Sequence, residues 1–504
     1  MSRPAGTDAS VEGLTSEQRI AAASEVRNLF IEAGPGTGKT TVSAQRLGVQ
    51  RFGSEFRQDN RAVIAVSFTR AATKTLAQRA VRVWGPTVAQ WPHRVVTLDT
   101  IVADLVHDLL RSALLRWPNG HTELSVHDSW ASFSGTTWNR TTYTITVQGD
   151  RIAIEPGWVA TNRATVPATE TLPLLRQGTC THEDVRAVLE QALQEPRLRD
   201  FVRERLQATT RALIVDEVFD ANDLDLDIIE TAIQANVAVT LVGDPWQALY
   251  VFRGARPDRV PLLLQRTGVP TLPLTQSFRW LEPAQRTLAE NLRSGASVTL
   301  DTQILAHGFD RVDVALALTW KSLWELKGGV LPLAFKAFGG SAEEAAATLL
   351  LNHVTRNVFN LDATYLNDAL TALAITDHDV PRQLEPKLQT VTEILRQAGP
   401  KVSTTAYDAL KNVIGEVSPR ALRPAHYRYT GRLDLIRTRL LHPGRPAPGL
   451  TTHQAKGGEW DVVAVRLTES ERQALESGLL MTEDTHRKLY VACTRARRQT
   501  VELI

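Results

Sequence analysis

The sequence predicts an α/β chain made of two parallel-sheet lobes, and three observations predict it. Short apolar runs alternate with helical stretches through the first third, the pattern of parallel strands joined by crossover helices. A second series of the same kind begins after Ala255. Between the first predicted strand and the helix after it lies a glycine-rich loop, AGPGTGKTT at Ala33 to Thr41, which presents backbone N–H groups to an anion.

In the first lobe, NLFIEA (Asn28 to Ala33), AVIAVSF (Ala62 to Phe68), VVTL (Val95 to Leu98), ALIVDE (Ala212 to Glu217) and VAVTLVGD (Val237 to Asp244) read as buried strands. Between Ile101 and Thr210 the pattern changes to a helical entry, a polar alternating stretch and helices again. There TITVQGDRIAI predicts a β-hairpin turning at QGD. In the second lobe VLPLAFKAF (Val330 to Phe338), LTALAIT (Leu370 to Thr376), VVAVRL (Val462 to Leu467) and TVELI (Thr500 to Ile504) read as strands. Helices are expected through SAEEAAATLLLNHV and LEPKLQTVTEILRQAG, and HPGRPAPG at His442 to Gly449 as a linker. The expected division is 1–100 with 208–256 as the first lobe, 101–207 as its insertion, 257–407 with 450–504 as the second lobe, and 408–449 as a much reduced second insertion with linker.

Bulk properties leave this reading open and close others. At 504 residues the chain exceeds one ordinary core, and 43% hydrophobic with 22% charged residues is globular usage. Two distant cysteines, Cys180 and Cys493, exclude a disulfide framework and a four-ligand zinc site and imply a reducing setting. No run reaches the ~18 apolar residues of a membrane helix, and MSRPAGTDASVEG lacks a secretory core, so the expected location is cytoplasmic, with no membrane partner. A net charge of +2 means that a grip on nucleic acid must come from local basic and aromatic tracks.

In the glycine loop, Gly34, Gly36 and Gly38 let the backbone approach phosphates, Lys39 reaches the β and γ phosphates, and Thr40 holds Mg²⁺. Ala33, Pro35, Thr37 and Thr41 complete the expected ATP-binding segment. VDE ends a strand, so Asp216 is expected to complete the Mg²⁺ shell and Glu217 to orient or deprotonate the attacking water.

Taken in order, the motifs resemble superfamily 1 helicases of the UvrD, Rep and PcrA group. LTSEQRIAA resembles the adenine-reading segment, which implies Gln18 against the base. VSFTRAATKTL and VTLDT resemble strand-contact motifs, implying Phe68, Thr69, Arg70 and Thr97 at DNA. DEVFD carries Phe219 where the group has glutamine. GDPWQALYVFRGA implies Gln247 at the γ phosphate, Tyr250 and Arg253 in coupling, and Phe252 where the group stacks a tryptophan on a base. LTQSFRW implies Phe278 beside adenine and Arg279 at phosphate. TTHQAKGGEWDVV implies His453 on the strand side, Gly457 near phosphates and Glu459 toward the ribose. HRKLYVACTRARR implies Arg495 as an arginine finger.

The resemblance implies two RecA-like P-loop motor lobes, with a mixed insertion in the first and a much reduced one in the second. It also implies an ATP-dependent 3′ to 5′ helicase or translocase on single-stranded DNA or a single/double-strand junction, using Mg²⁺ with ATP. The alternative is a DNA-stimulated ATPase that senses ends or single strands with little unwinding. The compact layout is similar to the helicase-like subunit of the Gabija phage-defence system, and the reduced second insertion suggests a regulatory or nuclease partner protein.

Overall fold

The computed structural model describes residues 13–53, 58–130, 137–303, 312–326, 328–377 and 379–504. Strands β1 (Leu29–Ala33), β2 (Ala62–Ser67) and β3 (Arg94–Thr97) begin the first sheet. The AVIAVS run of β2 is buried at every residue, as a strand covered on both faces requires. The chain then passes through an insertion with β4 (Ser125–His127), β5 (Thr137–Gln148), β6 (Arg151–Thr165) and β7 (Thr179–Thr181). It returns as β8 (Thr210–Asp216), β9 (Ala238–Gly243) and β10 (Thr271–Leu274). The six lobe strands are all parallel, in the order β10-β1-β9-β8-β2-β3.

The second lobe repeats the plan with β11 (Thr302–Gln303), β12 (Val314–Ala317), β13 (Val330–Pro332), β14 (Ala447–Thr451), β15 (Trp460–Val465) and β16 (Ala496–Leu503). Its order is β11-β16-β15-β12-β14-β13, again all parallel. These are the two RecA-like P-loop lobes. An apolar cluster joins them, in which Trp246 of the first packs on Tyr490 of the second with ring centroids 4.8 Å apart.

The expected hairpin is present: β5 and β6 pair antiparallel, Gln148 faces Arg151, and Gly149 takes the positive φ that the tight turn demands. Five expectations need correction. Strand β10 lies beyond residue 257 yet pairs with β1 in the first sheet, so the change of lobe follows Leu274. The sequence hides it because TLPL is short and carries Pro273, which an edge strand tolerates. LTALAIT is not a strand: Leu366–Ala372 is helical, and a short apolar run does not separate the two by periodicity. The VLPLAFKAF strand shrinks to three residues. The second insertion is wider than 408–449, since helices Ala342–Phe359, Leu366–Ala372, Val380–Arg396, Val402–Gly415 and Tyr427–Leu440 all lie between β13 and β14. The expected linker ends inside β14, where a Cβ on Gly449 would come within 2.7 Å of Val330.

Arg46 fastens the phosphate-loop helix, Lys39–Phe52, to the chain entering β1. It is fully buried and donates to the carbonyls of Ala21, Ala22, Ser24 and Val26 and to Thr240 Oγ1. Those carbonyls include the free end of helix Ser16–Ala23, which has no intrahelical partners of its own. Arg46→Ala is expected to lower unfolding free energy by about 3 kcal/mol, read by urea denaturation, because it leaves buried acceptors unmet.

Among the described residues, no helix is long and apolar enough to cross a membrane, and no group of three His, Cys, Asp or Glu side chains is placed to hold a metal ion.

Candidate functional site

Ligands of open parallel sheets sit beyond the carboxyl ends of the strands. In this chain the ends of β1, β2, β8 and β9 open onto a cleft of about 490 Å³, closed on its far side by second-lobe residues. The phosphate loop turns at Gly36 and Gly38, whose φ of 72° and 87° suit glycine. There is no room for more at either. A Cβ on Gly36 would fall 2.5 Å from the Cβ of Arg279, and one on Gly38 would fall 2.6 Å from Gln18 Nε2.

The loop is braced from several sides. Thr37 Oγ1 donates to the Gly34 carbonyl, Ser277 Oγ to that of Pro35, and the Phe278 N–H to that of Gly36. Gln18 Nε2 donates to the Thr37 carbonyl while its Oε1 accepts from the Thr15 N–H, so both ends of this amide are engaged by protein. Gln18 is buried and steadies the loop. Thr41 accepts from Arg79, which also lines the cleft. Phe278 stays half exposed beside the loop, available to a base.

Lys39 is buried, donates to the Ala33 carbonyl and lies 3.7 Å from Glu217. Asp216 accepts from Ser43 Oγ at 3.2 Å and from Thr40. Burial, and then Glu217 alongside, push its carboxyl above the usual range. Thr40 and Asp216 offer only hard oxygen donors at the loop, a set that fits Mg²⁺ held partly by nucleotide and water. Glu217 takes a left-handed backbone (φ 62°, ψ 46°), unfavourable for a side chain with a Cβ and of the kind that gathers at active sites. Burial would raise its pKa, but Lys39, then Lys456 and Arg495, outweigh burial and hold it ionised.

Gln247 follows β9 and donates to Asp244 at 2.8 Å. Asp244 is buried and also accepts from Arg293 of the second lobe. Across the cleft, Arg279 donates to Glu459 Oε1 at 2.9 Å and to the Thr494 carbonyl. Gly457, with φ 86°, leaves open space beside the cleft. Arg495 is 1% exposed, and its Nε donates to the Val491 carbonyl, while Nη2 has no hydrogen-bond partner. Burial, and then the Arg279 charge, push its pKa down to about 9, which leaves it cationic at neutral pH.

The motif pattern alone does not single out Lys456. It reaches from the second lobe to Asp220 at 2.5 Å, to the Gln247 carbonyl at 3.0 Å and toward Glu217 at 3.8 Å. Its signal was present in DEVFD and HQAKG, where an acid and a base each stand beside residues already assigned roles.

The strand-side residues form two groups. Tyr250, Phe252 and His453 meet at the seam between lobes, with Phe252 and His453 edge to face at 4.9 Å and Arg253 over both Tyr250 and Phe252. Burial, and then Lys488, lower the His453 pKa, and its Nε2 pairs with the Leu249 carbonyl. Phe252 is 62% exposed, so Phe252→Ala is expected to weaken single-strand binding by about 1–3 kcal/mol in fluorescence anisotropy, with little change in stability. Phe68 is half buried against the core and lines the nucleotide cleft instead. Thr69 caps helix Arg70–Trp84, Arg70 pairs with Asp128 of the first insertion at 2.5 Å, and Thr97 Oγ1 meets Thr100. Phe219 packs edge to face on Phe30 in the core, so the polar contact of a glutamine is absent there.

Residues 17–253 match the family model of an AAA domain, AAA_19. The chain is 37% identical over 81 residues to the ATP-dependent DNA helicase Rep of Salmonella typhimurium, covering 16% of this chain and 12% of that protein. It is 30% identical over 92 residues to RecBCD enzyme subunit RecB of Mycobacterium tuberculosis, covering 18% and 8%. The match thus spans a small part of these relatives' length. Unliganded Pif1 from Bacteroides sp. aligns with a TM-score of 0.27 at 15% identity, over 60% of this chain and 53% of that one. The matched AAA domain holds the phosphate loop, the strand-end acids and Gln247, and the chain is similar in part to superfamily 1 DNA helicases such as Rep.

Proposed function

We propose that the chain is an ATP-driven motor that moves 3′ to 5′ along single-stranded DNA and separates strands, with Mg²⁺ accompanying ATP. The observation that best supports this is the position of Tyr250. It lines the nucleotide cleft and lies under Lys456, whose Nζ is 5.1 Å from the ring centroid. On its other side it meets Phe252 and His453 at 6.1 and 6.3 Å. One side chain therefore touches both the fuel site and the strand seam.

Lys39 and Arg495 bind phosphate from opposite lobes, and the charge between them draws the lobes together. Thr40 and Asp216 would hold Mg²⁺, which would supply positive charge to screen the phosphate oxygens. Glu217 orients the attacking water, and Gln247 follows the γ phosphate from its hydrogen bond to Asp244. As the lobes shift, Lys456 moves against Tyr250, which displaces Phe252 and His453 on the strand. Stacking tolerates every base, as a motor that regrips each nucleotide needs.

The test compares ATP turnover with and without single-stranded DNA, and strand displacement from 3′ and 5′ tails, with Lys39→Ala as the blank. Strong stimulation with displacement from the 3′ tail alone is expected; turnover indifferent to DNA would end the reading. A second reading, a DNA-stimulated sensor that displaces little and works with a regulatory or nuclease partner, draws on the Arg70–Asp128 ion pair, which engages a strand-side arginine with the chain's own carboxylate. Turnover without displacement would select it.

A further inference from the structure

The helical insertion of the second lobe carries a basic hollow of about 520 Å³ that the nucleotide cleft does not use. Lys336, Arg423, Arg428 and Arg432 line it, together with Glu343 and Glu344 at the start of helix Ala342–Phe359. The two acids are buried and act as scaffold. Glu344 lies 3.9 Å from Lys336 and 3.6 Å from Arg432, and Glu343 lies 3.7 Å from Arg423. Arg428 donates to the Tyr427 hydroxyl, a neutral partner, so positive charge exceeds negative at the surface. The Arg423 and Lys336 side chains remain 73% and 59% exposed.

Aromatic rings alternate with these cations in RPAHYRYTGR. Tyr427 is 71% exposed and its ring stands 4.3 Å from that of His426. An exposed stacking face set among arginines suits bases on a phosphodiester chain better than it suits a free phosphate or an acidic peptide, neither of which needs stacking.

Side-chain contacts lead from beside the seam toward the hollow. Gln454, next to His453, donates to the Tyr365 hydroxyl at 3.5 Å. Tyr365 stacks on Phe338 at 6.2 Å, and Phe338 lies two residues beyond Lys336. We infer that single-stranded DNA leaving the Phe252–His453 seam continues over Phe338 and Tyr365 to this hollow, where Arg423 and Arg428 take its phosphates and the exposed Tyr427 beside Arg428 stacks a base. The inference rests on the single-strand reading above and adds a second contact to it.

The experiment measures anisotropy of labelled oligothymidylates of about 8 and about 20 nucleotides on the full chain, the shorter long enough for the seam alone. The variants are the Arg423→Ala/Arg428→Ala double and Tyr427→Ala, all at exposed positions. The double variant is expected to bind the long oligomer about 10-fold more weakly, with a salt slope smaller by about 1.4, the share of two phosphates on a single strand. Unchanged affinity for the short one shows that it is folded. Tyr427→Ala should weaken the long oligomer several-fold and leave the salt slope alone. Wild-type affinity and slope in the double variant at both lengths would overturn the second contact while leaving the seam intact. Loss of poly-glutamate binding in the double variant with DNA binding unchanged would overturn it in favour of an acidic protein. Failure of the wild-type chain to bind either oligomer would overturn both readings.

Discussion

Arg495→Ala is expected to lower DNA-stimulated ATP turnover by about 10³ to 10⁵ at saturating nucleotide. The expectation follows from the cost of leaving a guanidinium as this one stands. Arg495 is 1% exposed, its Nη2 has no partner, and Arg279 repels it from close by. A buried cation without a full set of acceptors destabilises a fold, so its presence needs an anion that arrives later. The cleft it lines also holds Lys39 of the opposite lobe, which places both where a triphosphate would bridge them. Arg495→Lys should not rescue the loss, because an ammonium lacks the planar fork. A structural role makes the opposite prediction. If Arg495 mainly supports the fold, Arg495→Ala would lower the thermal midpoint. If it waits for phosphate, the midpoint without nucleotide stays level or rises, while the rise on adding a non-hydrolysable ATP analogue shrinks. Near-normal turnover in Arg495→Ala would remove the arginine from the mechanism.

The legible and illegible parts of this chain differ by the range of the interactions that define them. The first-lobe strands β1, β2, β8 and β9 were readable because burial on both faces writes continuous apolar runs into five to seven residues. The glycine loop was readable because its chemistry is local: a strand, a turn that needs glycine, and a helix start. β10 was not, since a four-residue edge strand with Pro273 is recruited by β1 across more than two hundred residues. LTALAIT misled because its apolar residues serve a helix packed in the second insertion, where tertiary burial decides between two local states.

At the site the same division holds. Asp216, Glu217, Lys39 and Arg495 were found by motif, and the structure gathers them around one cleft. Sequence alone does not mark Lys456 and Asp220 although both stand inside the motifs, because their ion pair joins positions 236 residues apart and has no local signature. The resemblance sets Gln18 against a base, and in the structure its amide also gives one N–H to Thr37 and accepts from Thr15. That exchange follows from Gly38, where any Cβ would meet the glutamine. The loop and the preceding helix are therefore fitted to each other.

Glu217→Gln is expected to cut turnover by about 10² to 10⁴ while leaving nucleotide binding within a few-fold of wild type. The carboxylate stays ionised because Lys39, Lys456 and Arg495 outweigh its burial, and an ionised acid at the mouth of the phosphate loop can accept a proton from water or hold it in line. Glutamine keeps the shape and loses the charge. It also releases Lys39 and Lys456 from a shared anion at 3.7 and 3.8 Å, which favours phosphate in its place. Binding should therefore tighten or hold steady as chemistry fails. The two effects separate in a single-turnover measurement, where the cleavage step slows and fluorescent-ATP affinity does not fall. Because Lys456 also pairs with Asp220, and Arg293 with Asp244 and Glu32, the lobes keep ion pairs in the variant, and its single-strand binding should persist. A variant that loses ATP affinity and turnover together would show Glu217 to be part of the binding scaffold and would move the proton acceptor elsewhere in the cleft.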